Sequence, residues 1–148
     1  MPETETPTTI LAFDFGRRRI GVAVGQTITS SASPLGMVSN GESGPDHERI
    51  AALIREWQPT SLVVGLPLLA DGTEGEIAKE VRMFADDLSR YDLPIDTCDE
   101  RLSSQEAEQA LIRARQAGSR GRIRKSDIDA AAAVVIAERY LASLEHSP

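Results

Sequence analysis

The amino-acid sequence predicts an α/β fold built on a mixed five-stranded sheet, and its hydrophobic pattern leads to that prediction. Two short apolar runs, Ile10–Phe15 and Ile20–Val24, lie close together near the start of the chain. Ser61–Leu66 and Leu93–Cys98 are two further runs of strand type, and segments with apolar residues at helical spacing separate and follow them. This order favours an antiparallel meander followed by helix-linked parallel strands.

The first elements form the predicted meander. Gly16–Arg19 is a short connection that contains glycine, so the two flanking runs are expected to form a hairpin. Leu35–Ser39 is a weaker third strand. Apolar residues then recur at helical spacing from Ile50 to Trp57, and Pro59 just beyond suits the end of a helix.

The second half alternates strands and helices. Ser61–Leu66 is continuously apolar, which is typical of a buried parallel strand, and a loop leads from it to a helix over Ile77–Leu88. After the next strand, residues 103–115 are predicted to form a helix, which opens with the spacing of a capping box. A second box-like spacing opens a final, alanine-rich helix over residues 126–144.

Length and composition indicate a single globular domain. The chain has 148 residues, of which 41% are hydrophobic, and a formal net charge of −7. We expect a disordered tail over residues 1–8 and one domain over residues 9–145. The single cysteine, Cys98, excludes an intrachain disulfide and a cysteine-cluster metal site. No apolar run reaches the roughly 20 residues of a membrane span, and the polar start is unlike a signal peptide, so the predicted location is cytoplasmic.

Positive charge is concentrated in two places, although the chain as a whole is acidic. One is the run Arg17–Arg19, and the other lies within residues 113–125, where no acidic residue occurs. Such clusters offer a polyanion a local binding surface. The alternative for the second cluster is a solvated flexible loop, because Gly118 and Gly121 lie in it. The residues expected to contact nucleic acid are Arg17, Arg18, Arg19, Arg120, Arg122, Arg124 and Lys125.

Carboxylates at three places stand out as candidates for chemistry. Asp14 lies inside an apolar strand, where a charged residue is rare unless it is paired, hydrogen-bonded or bound to metal. Asp99 and Glu100 follow a strand, and functional residues collect at the carboxyl ends of parallel strands. Because successive strand residues point to opposite faces, one member of that pair is expected to share a site with Asp14. Asp129 stands at the start of the last helix, where helix capping alone could explain it.

Three carboxylates from two strands and a helix start can converge on divalent cations. Mg²⁺ and Mn²⁺ prefer oxygen ligands, and two such ions about 4 Å apart can support phosphodiester hydrolysis. The histidines, His47 and His146, are expected to face solvent and offer no competing set. The structural alternatives are that Asp14 bonds to the turn after its strand and that Glu100 lies in an exposed acidic turn.

Four sets of residues occur together in the order of one known family. They are Leu11–Gly16 with Arg19–Gly25, Val63–Pro67 with Asp71–Gly75, Asp99–Ser103, and Asp129–Ala133. Each set alone is a weak signal, whereas the joint match is highly specific. Together they resemble the YqgF family, also called RuvX or Holliday-junction-resolvase-like, which has the ribonuclease H-like fold.

This resemblance implies a ribonuclease H-like mixed five-stranded sheet with helices on both faces. It also implies a bacterial, cytosolic nuclease, a hydrolase acting on ester bonds, that processes the 5′ end of the 16S ribosomal RNA precursor. The implied partner is that RNA or the immature small ribosomal subunit.

The resemblance carries three site residues over position by position. Asp14 matches the catalytic Asp of the first strand, Glu100 matches the acid after the later strand, with Asp99 beside it, and Asp129 matches the acid of the last helix. In ribonuclease H-like enzymes these residues are metal ligands and water is the nucleophile. The implied cofactor is therefore Mg²⁺ or Mn²⁺.

The run of arginines is where the chain departs from the family. Members usually carry Thr or Ser, and then Lys or Arg, after the glycine that corresponds to Gly16, whereas here three arginines follow it. Arg17–Arg19 could bind phosphate more strongly than usual or could partly neutralise the site.

The loop over Pro67–Gly75 also allows two interpretations. It could form one wall of the substrate cleft, with the start of the next helix near phosphate. It could equally be a plain connection from strand to helix, with Asp71 and Gly72 forming a turn. Asp71 and Glu74 are not assigned as ligands, because they would repel phosphate.

Three functions are alternatives to rRNA processing. Resolution of four-way DNA junctions stays open, although a dedicated resolvase usually works as a symmetric dimer. No dimer-forming stripe is evident, so a monomer or weak homodimer is expected. A non-catalytic RNA- or ribosome-binding module is the second alternative, although retention of all three acids argues against it. An actin-like ATPase or sugar kinase is disfavoured, because 148 residues lack the second domain that it needs.

Overall fold

A mixed five-stranded sheet forms the centre of the fold. The computed structural model describes residues 8–29, 31–67, 69, 71–99 and 130–145. The strands are β1 (Thr9–Asp14), β2 (Arg19–Gln26), β3 (Ser31–Ser39), β4 (Ser61–Leu66) and β5 (Ile95–Asp99). The helices of the described part are α1 (His47–Trp57), α2 (Glu76–Leu88) and α3 (Ala131–Glu145), with a short 3-10 helix at Ser89–Tyr91. The element order agrees with the prediction, and the helix expected over 103–115 lies outside the described residues.

The sheet has the strand order β3-β2-β1-β4-β5. β1 and β2 are antiparallel, as are β2 and β3, whereas β1, β4 and β5 run parallel. The predicted hairpin is confirmed, and Gly16 is required at its turn, since a Cβ there would lie 2.4 Å from the Arg19 carbonyl oxygen. The central strand β1 therefore ends where the chain must turn sharply.

The helices cover both faces of the sheet, as the predicted fold class requires. On one face, α1 and α2 pack on large side chains such as Phe13 and Val64. On the other face, α3 packs on Ile10, Ala12 and Ala23. No helix in the described part of the chain is long and apolar enough to cross a membrane.

Every strand except β4 differs in its bounds from the prediction, by one or two residues at each changed end of β1, β2 and β5 and by four residues at the start of β3. β3 begins at Ser31 rather than Leu35, because its backbone pairs with β2 although its first residues have low strand propensity. Gly36 within it has a φ of 109°, which favours glycine. β5 begins at Ile95 rather than Leu93, directly after Pro94, and extends to Asp99.

Candidate active site

Asp14 is the last residue of β1, the middle strand of the sheet. It pairs with Gly21 on β2, and the parallel register with β4, continued by one residue, brings it beside Gly65. Because side chains alternate along a strand, Asp14 points to the same face as Ala12, which packs against α3. The side chain therefore lies on the α3 face, between two strand positions that carry no side chain.

The Asp14 carboxyl group is held in an environment that disfavours its charge. Burial raises the pKa of Asp14 from 3.8 to about 6. No residue in the described ranges forms a hydrogen bond or an ion pair with this carboxylate. A desolvated carboxylate without a partner is costly in a strand, so this residue is a functional candidate rather than a structural one.

The end of β5 lies two strands away from β1, at the same end of the sheet. Asp99 aligns with Leu66, the last residue of β4. Arg139 of α3 donates a hydrogen bond from Nη1 to the carbonyl oxygen of Asp99, at 2.7 Å. On the same side of the sheet, the Tyr140 hydroxyl donates to Asp96 at 2.5 Å. These contacts fix the end of β5 against α3.

Arg17, the first arginine after Gly16, is engaged by a carboxylate on α2. Its Nη2 donates to Glu80 Oε2 at 2.7 Å, and its Nε lies 3.1 Å from both carboxylate oxygens. The hydrogen bond and charge of Arg17 hold the pKa of Glu80 below its usual value. Arg18 and Arg19 are exposed. Of the three predicted phosphate contacts, Arg17 therefore already has a carboxylate partner in this structure.

The connection before α2 forms a turn, as one of its two interpretations predicts. Oδ1 of Asp71 accepts hydrogen bonds from the Thr73 backbone N–H at 3.0 Å and from its hydroxyl at 2.7 Å. Gly72 has a φ of 89°. Glu74 forms a bidentate pair with Arg82. Both carboxylates bind neighbouring residues of this chain, and neither Asp71 nor Glu74 is assigned as a metal ligand.

An open cleft of about 620 Å³ lies on the face opposite to Asp14. Its walls include Phe15, Met83 and Phe84 together with the carboxylates of Glu80, Asp86 and Asp87. Because Phe15 directly follows Asp14 in the chain, its side chain points to the α1 and α2 side of the sheet. The cleft is thus separated from the Asp14 carboxylate by the sheet itself.

His47 is not the solvent-facing residue that the sequence predicts. Its Nδ1 lies 2.6 Å from the Tyr91 hydroxyl, and its Nε2 lies 2.7 Å from Asp87 Oδ2. Burial raises the pKa of Asp87, but the hydrogen bonds from His47 and Arg90 outweigh that effect and leave the pKa below its usual value. The contacts join the start of α1 to the end of α2, so His47 has a structural role.

The donor chemistry of Asp14 fits a divalent cation. Its carboxylate is a hard oxygen ligand, and a bound cation would offset the desolvation that raises its pKa. Within the part of the chain that the structure describes, no group of three or more His, Cys, Asp or Glu side chains could hold a metal ion. The other two predicted ligands, Glu100 and Asp129, lie outside that part.

Comparison with known proteins identifies the family. The model of the family described as "RuvX: Holliday junction resolvase" matches residues 8–143. The chain belongs to the RuvX family. The resemblance stated from the sequence is therefore confirmed, and so is the enzyme class predicted with it, a nuclease.

Curated members of the RuvX family are similar over most of their length. A protein of Chromohalobacter salexigens named "Putative pre-16S rRNA nuclease" is 46% identical over 134 residues, covering 90% of this chain and 88% of its own length. A protein of the same name from Shewanella oneidensis is also 46% identical, covering 89% of this chain and 92% of its own length.

Solved structures agree with the fold expected for a RuvX protein. The RuvC of T. thermophilus in complex with a Holliday junction substrate aligns with a TM-score of 0.61 at 15% identity, covering 95% of this chain and 97% of that one. A Fowlpox virus resolvase in complex with Holliday junction DNA gives 0.54 at 12% identity, covering 92% of this chain and 98% of that one. Together with the observed sheet, they confirm the predicted ribonuclease H-like fold.

Asp14 is a candidate that the sequence predicts, whereas Arg139 is one that it does not predict. Arg139 and Glu138 are the charged residues inside an otherwise apolar segment of α3, and the reasoning that selected Asp14 could have selected them too. The predicted cations Arg120, Arg122, Arg124 and Lys125 lie outside the described residues, so they stay predictions for this RuvX protein.

Proposed function

We propose that this chain is a metal-dependent endonuclease that processes the 5′ end of the 16S rRNA precursor. The observation that carries the proposal is the Asp14 carboxylate, which is largely removed from solvent at the end of the central strand and has no hydrogen-bond or ion-pair partner among the described residues. The similarity to two proteins named as pre-16S rRNA nucleases, at 46% identity over about 90% of the chain, supports RNA as the substrate.

We assign Asp14, Glu100 and Asp129 as catalytic residues and ligands of Mg²⁺ or Mn²⁺. Asp99, the last residue of β5, alternates with Cys98, which packs on the α3 face. The Asp99 side chain therefore points away from the face that carries Asp14, which disfavours Asp99 as its partner and leaves Glu100 as the proposed one. When bound, the divalent cation supplies Lewis-acid stabilisation of the phosphate and lowers the pKa of water. The three carboxylates would hold and orient it.

We assign basic side chains around this centre as contacts to the phosphodiester backbone of the substrate. Arg17–Arg19 begin three residues after Asp14, at the same end of the sheet. Arg120, Arg122, Arg124 and Lys125 form the second proposed set. Contacts of this kind position the nucleic acid without reading its sequence.

Resolution of four-way DNA junctions is the second candidate function. The description of the RuvX family model favours it. A third possibility, a non-catalytic RNA- or ribosome-binding module, predicts binding that survives Asp14→Asn and no cleavage by the wild-type protein. We further propose a single domain over residues 9–145, a cytoplasmic location, and a monomer or weak homodimer. The predicted tail over residues 1–8 lies outside the described residues except for Thr8.

The deciding experiment is cleavage by the purified protein in Mg²⁺ or Mn²⁺. One substrate is the immature small ribosomal subunit with 5′-extended 16S RNA, and the other is a labelled four-way DNA junction. We expect shortening of the RNA at its 5′ end and no change in the presence of a chelator. Paired nicks in the junction without RNA cleavage would instead support the resolvase.

The site assignment is tested by Asp14→Asn, Glu100→Gln and Asp129→Asn in the same assay. Each should abolish cleavage while a thermal unfolding curve shows that the variant is folded. Full activity in all three variants would refute the metal site.

A further inference from the structure

The ion pair between Arg17 and Glu80 connects the turn after β1 to the first half of α2. The two residues are 63 positions apart and share three donor–acceptor contacts of 2.7 to 3.1 Å. The turn begins at Gly16, directly after the segment that contains Asp14. The pair therefore stands at the end of the sheet that carries the candidate catalytic carboxylate.

The charge pattern around Arg17 shows that Glu80 is its main partner. The Glu80 carboxylate is the largest influence that raises the pKa of Arg17, and Glu76, one turn earlier on α2, adds a smaller effect. Arg18 and Arg19 follow in the turn and are exposed. Arg17 is thus held by acidic side chains of α2.

The ion pair between Arg17 and Glu80 is accessible to solvent, and another anion can replace the carboxylate. The side chain of Arg17 is 60% exposed and that of Glu80 is 36% exposed, and exposed ion pairs contribute little to stability. A guanidinium group presents the same planar fork to a carboxylate and to a phosphate. A phosphodiester that approaches this end of the sheet can therefore take the place of Glu80.

We propose that Glu80 is a built-in competitor of the substrate phosphate, which occupies Arg17 until a phosphodiester displaces it. This inference rests on the proposed action on nucleic acid. Glu80 lowers the affinity for any polyanion that offers a single phosphate, and a substrate that also engages the rest of the site overcomes the competition. The Arg17–Glu80 pair thereby favours a substrate that engages the whole site over a polyanion that offers a single phosphate.

The test measures binding of a labelled 5′-extended 16S precursor fragment to the full-length protein in a chelator, over a range of salt concentrations. Glu80→Gln removes the carboxylate that competes with the phosphate for Arg17. We expect it to bind about three- to tenfold tighter at low salt, with a slope of log K against log salt close to that of the wild type, because the same Arg17–phosphate contact forms in both complexes.

Two controls separate competition from general electrostatics. Asp86→Asn removes the same charge from the same cleft, and no hydrogen bond joins the Asp86 side chain to Arg17 in the described structure. Glu74→Gln breaks the corresponding bidentate pair with Arg82 on the same helix. Both should change affinity by less than about twofold, because only Glu80 and Glu76 are among the charges that raise the pKa of Arg17.

A double-mutant cycle decides the inference. In an Arg17→Gln background, Glu80→Gln should no longer tighten binding, because the two residues act through one contact. A gain that persists without Arg17 would overturn the competitor role, as would unchanged or weaker binding by Glu80→Gln alone. Failure of the proposed function is distinguishable, because then the wild-type protein does not cleave the RNA in Mg²⁺ or Mn²⁺, whatever Glu80→Gln does to binding.

Discussion

The two faces of the sheet are built from side chains of different size. The face toward α1 and α2 buries residues such as Phe13, Leu62 and Phe84, and the rings of Phe13 and Phe84 meet edge to face at 5.7 Å. The face toward α3 is made largely of Ala12, Ala23 and similar small residues. Large side chains bury more apolar surface, so the first face stabilises the fold more strongly.

The small residues on the second face allow α3 to lie close to the strands. At Gly25 of β2, a Cβ would lie 3.1 Å from Ile10 and 3.2 Å from Leu141 of α3. The same face presents Asp14 and receives Arg139, which bonds to the end of β5. The difference indicates that one face provides stability and that the other, which contributes less, positions the candidate site.

The largest effect on stability is expected for Phe13→Ala. Phe13 is fully buried in the larger core, and truncation of such a side chain costs about 3–5 kcal/mol. Chemical denaturation measures the change in the free energy of unfolding. Met83→Ala is the control, because Met83 is 70% exposed on α2. Equal effects of the two variants would mean that this face does not dominate stability.

Asp14→Asn should stabilise the metal-free protein at pH 7.5. Because burial raises the pKa of Asp14 from 3.8 to about 6, the folded state binds the proton more tightly than the unfolded chain does. Stability is therefore lost as the pH rises toward and above 6, by up to about 3 kcal/mol for a shift of about two units. The gain from Asn should shrink between pH 6 and pH 4, as followed by denaturation at each pH. A pH-independent gain would contradict this explanation.

Gly25→Ala should destabilise the protein by about 1–3 kcal/mol, since the added methyl group overpacks the contact between β2 and α3. Gly41→Ala is matched to it, because a Cβ at Gly41 meets no atom within 4 Å. The two melting temperatures, measured by calorimetry, test the close packing of the α3 face. A neutral Gly25→Ala would show that α3 can move away from the sheet.

The smallest change in stability is expected for Arg139→Gln, about 1 kcal/mol for one hydrogen bond. As a positioning residue, Arg139 should affect kcat more than KM, with kcat about tenfold lower, since misplacing a catalytic group slows the reaction. Arg139→Lys keeps the charge and a donor and should recover part of the rate. An unchanged kcat in Arg139→Gln would limit this residue to a structural role.

Strands made of a continuous run of apolar residues could be predicted from the sequence. Strand segments that are held mainly by backbone pairing could not. β4 has the predicted bounds, Ser61–Leu66, because each of its apolar residues is buried between helices. The first half of β3 was missed, because Ser31–Pro34 have little preference for a strand and are held by pairing with β2.

The candidate site was predicted where a residue conflicts with its surroundings. Asp14 is such a case, since a carboxylate in an apolar strand is costly. The partners of Arg17 and His47 lie 63 and 40 or more residues away. Side chains on separate elements meet only in the folded chain, so no local pattern identifies those pairs.

Single-turnover cleavage of 5′-extended 16S RNA by two neighbouring variants tests the central claim most directly. Asp14 and Phe13 are adjacent on β1 and point to opposite faces. Asp14→Asn should remain folded and lose cleavage, whereas Phe13→Leu should unfold at a lower temperature and cleave at nearly the wild-type rate. Cleavage by Asp14→Asn at the wild-type rate would contradict the claim that the α3 face carries the catalytic site.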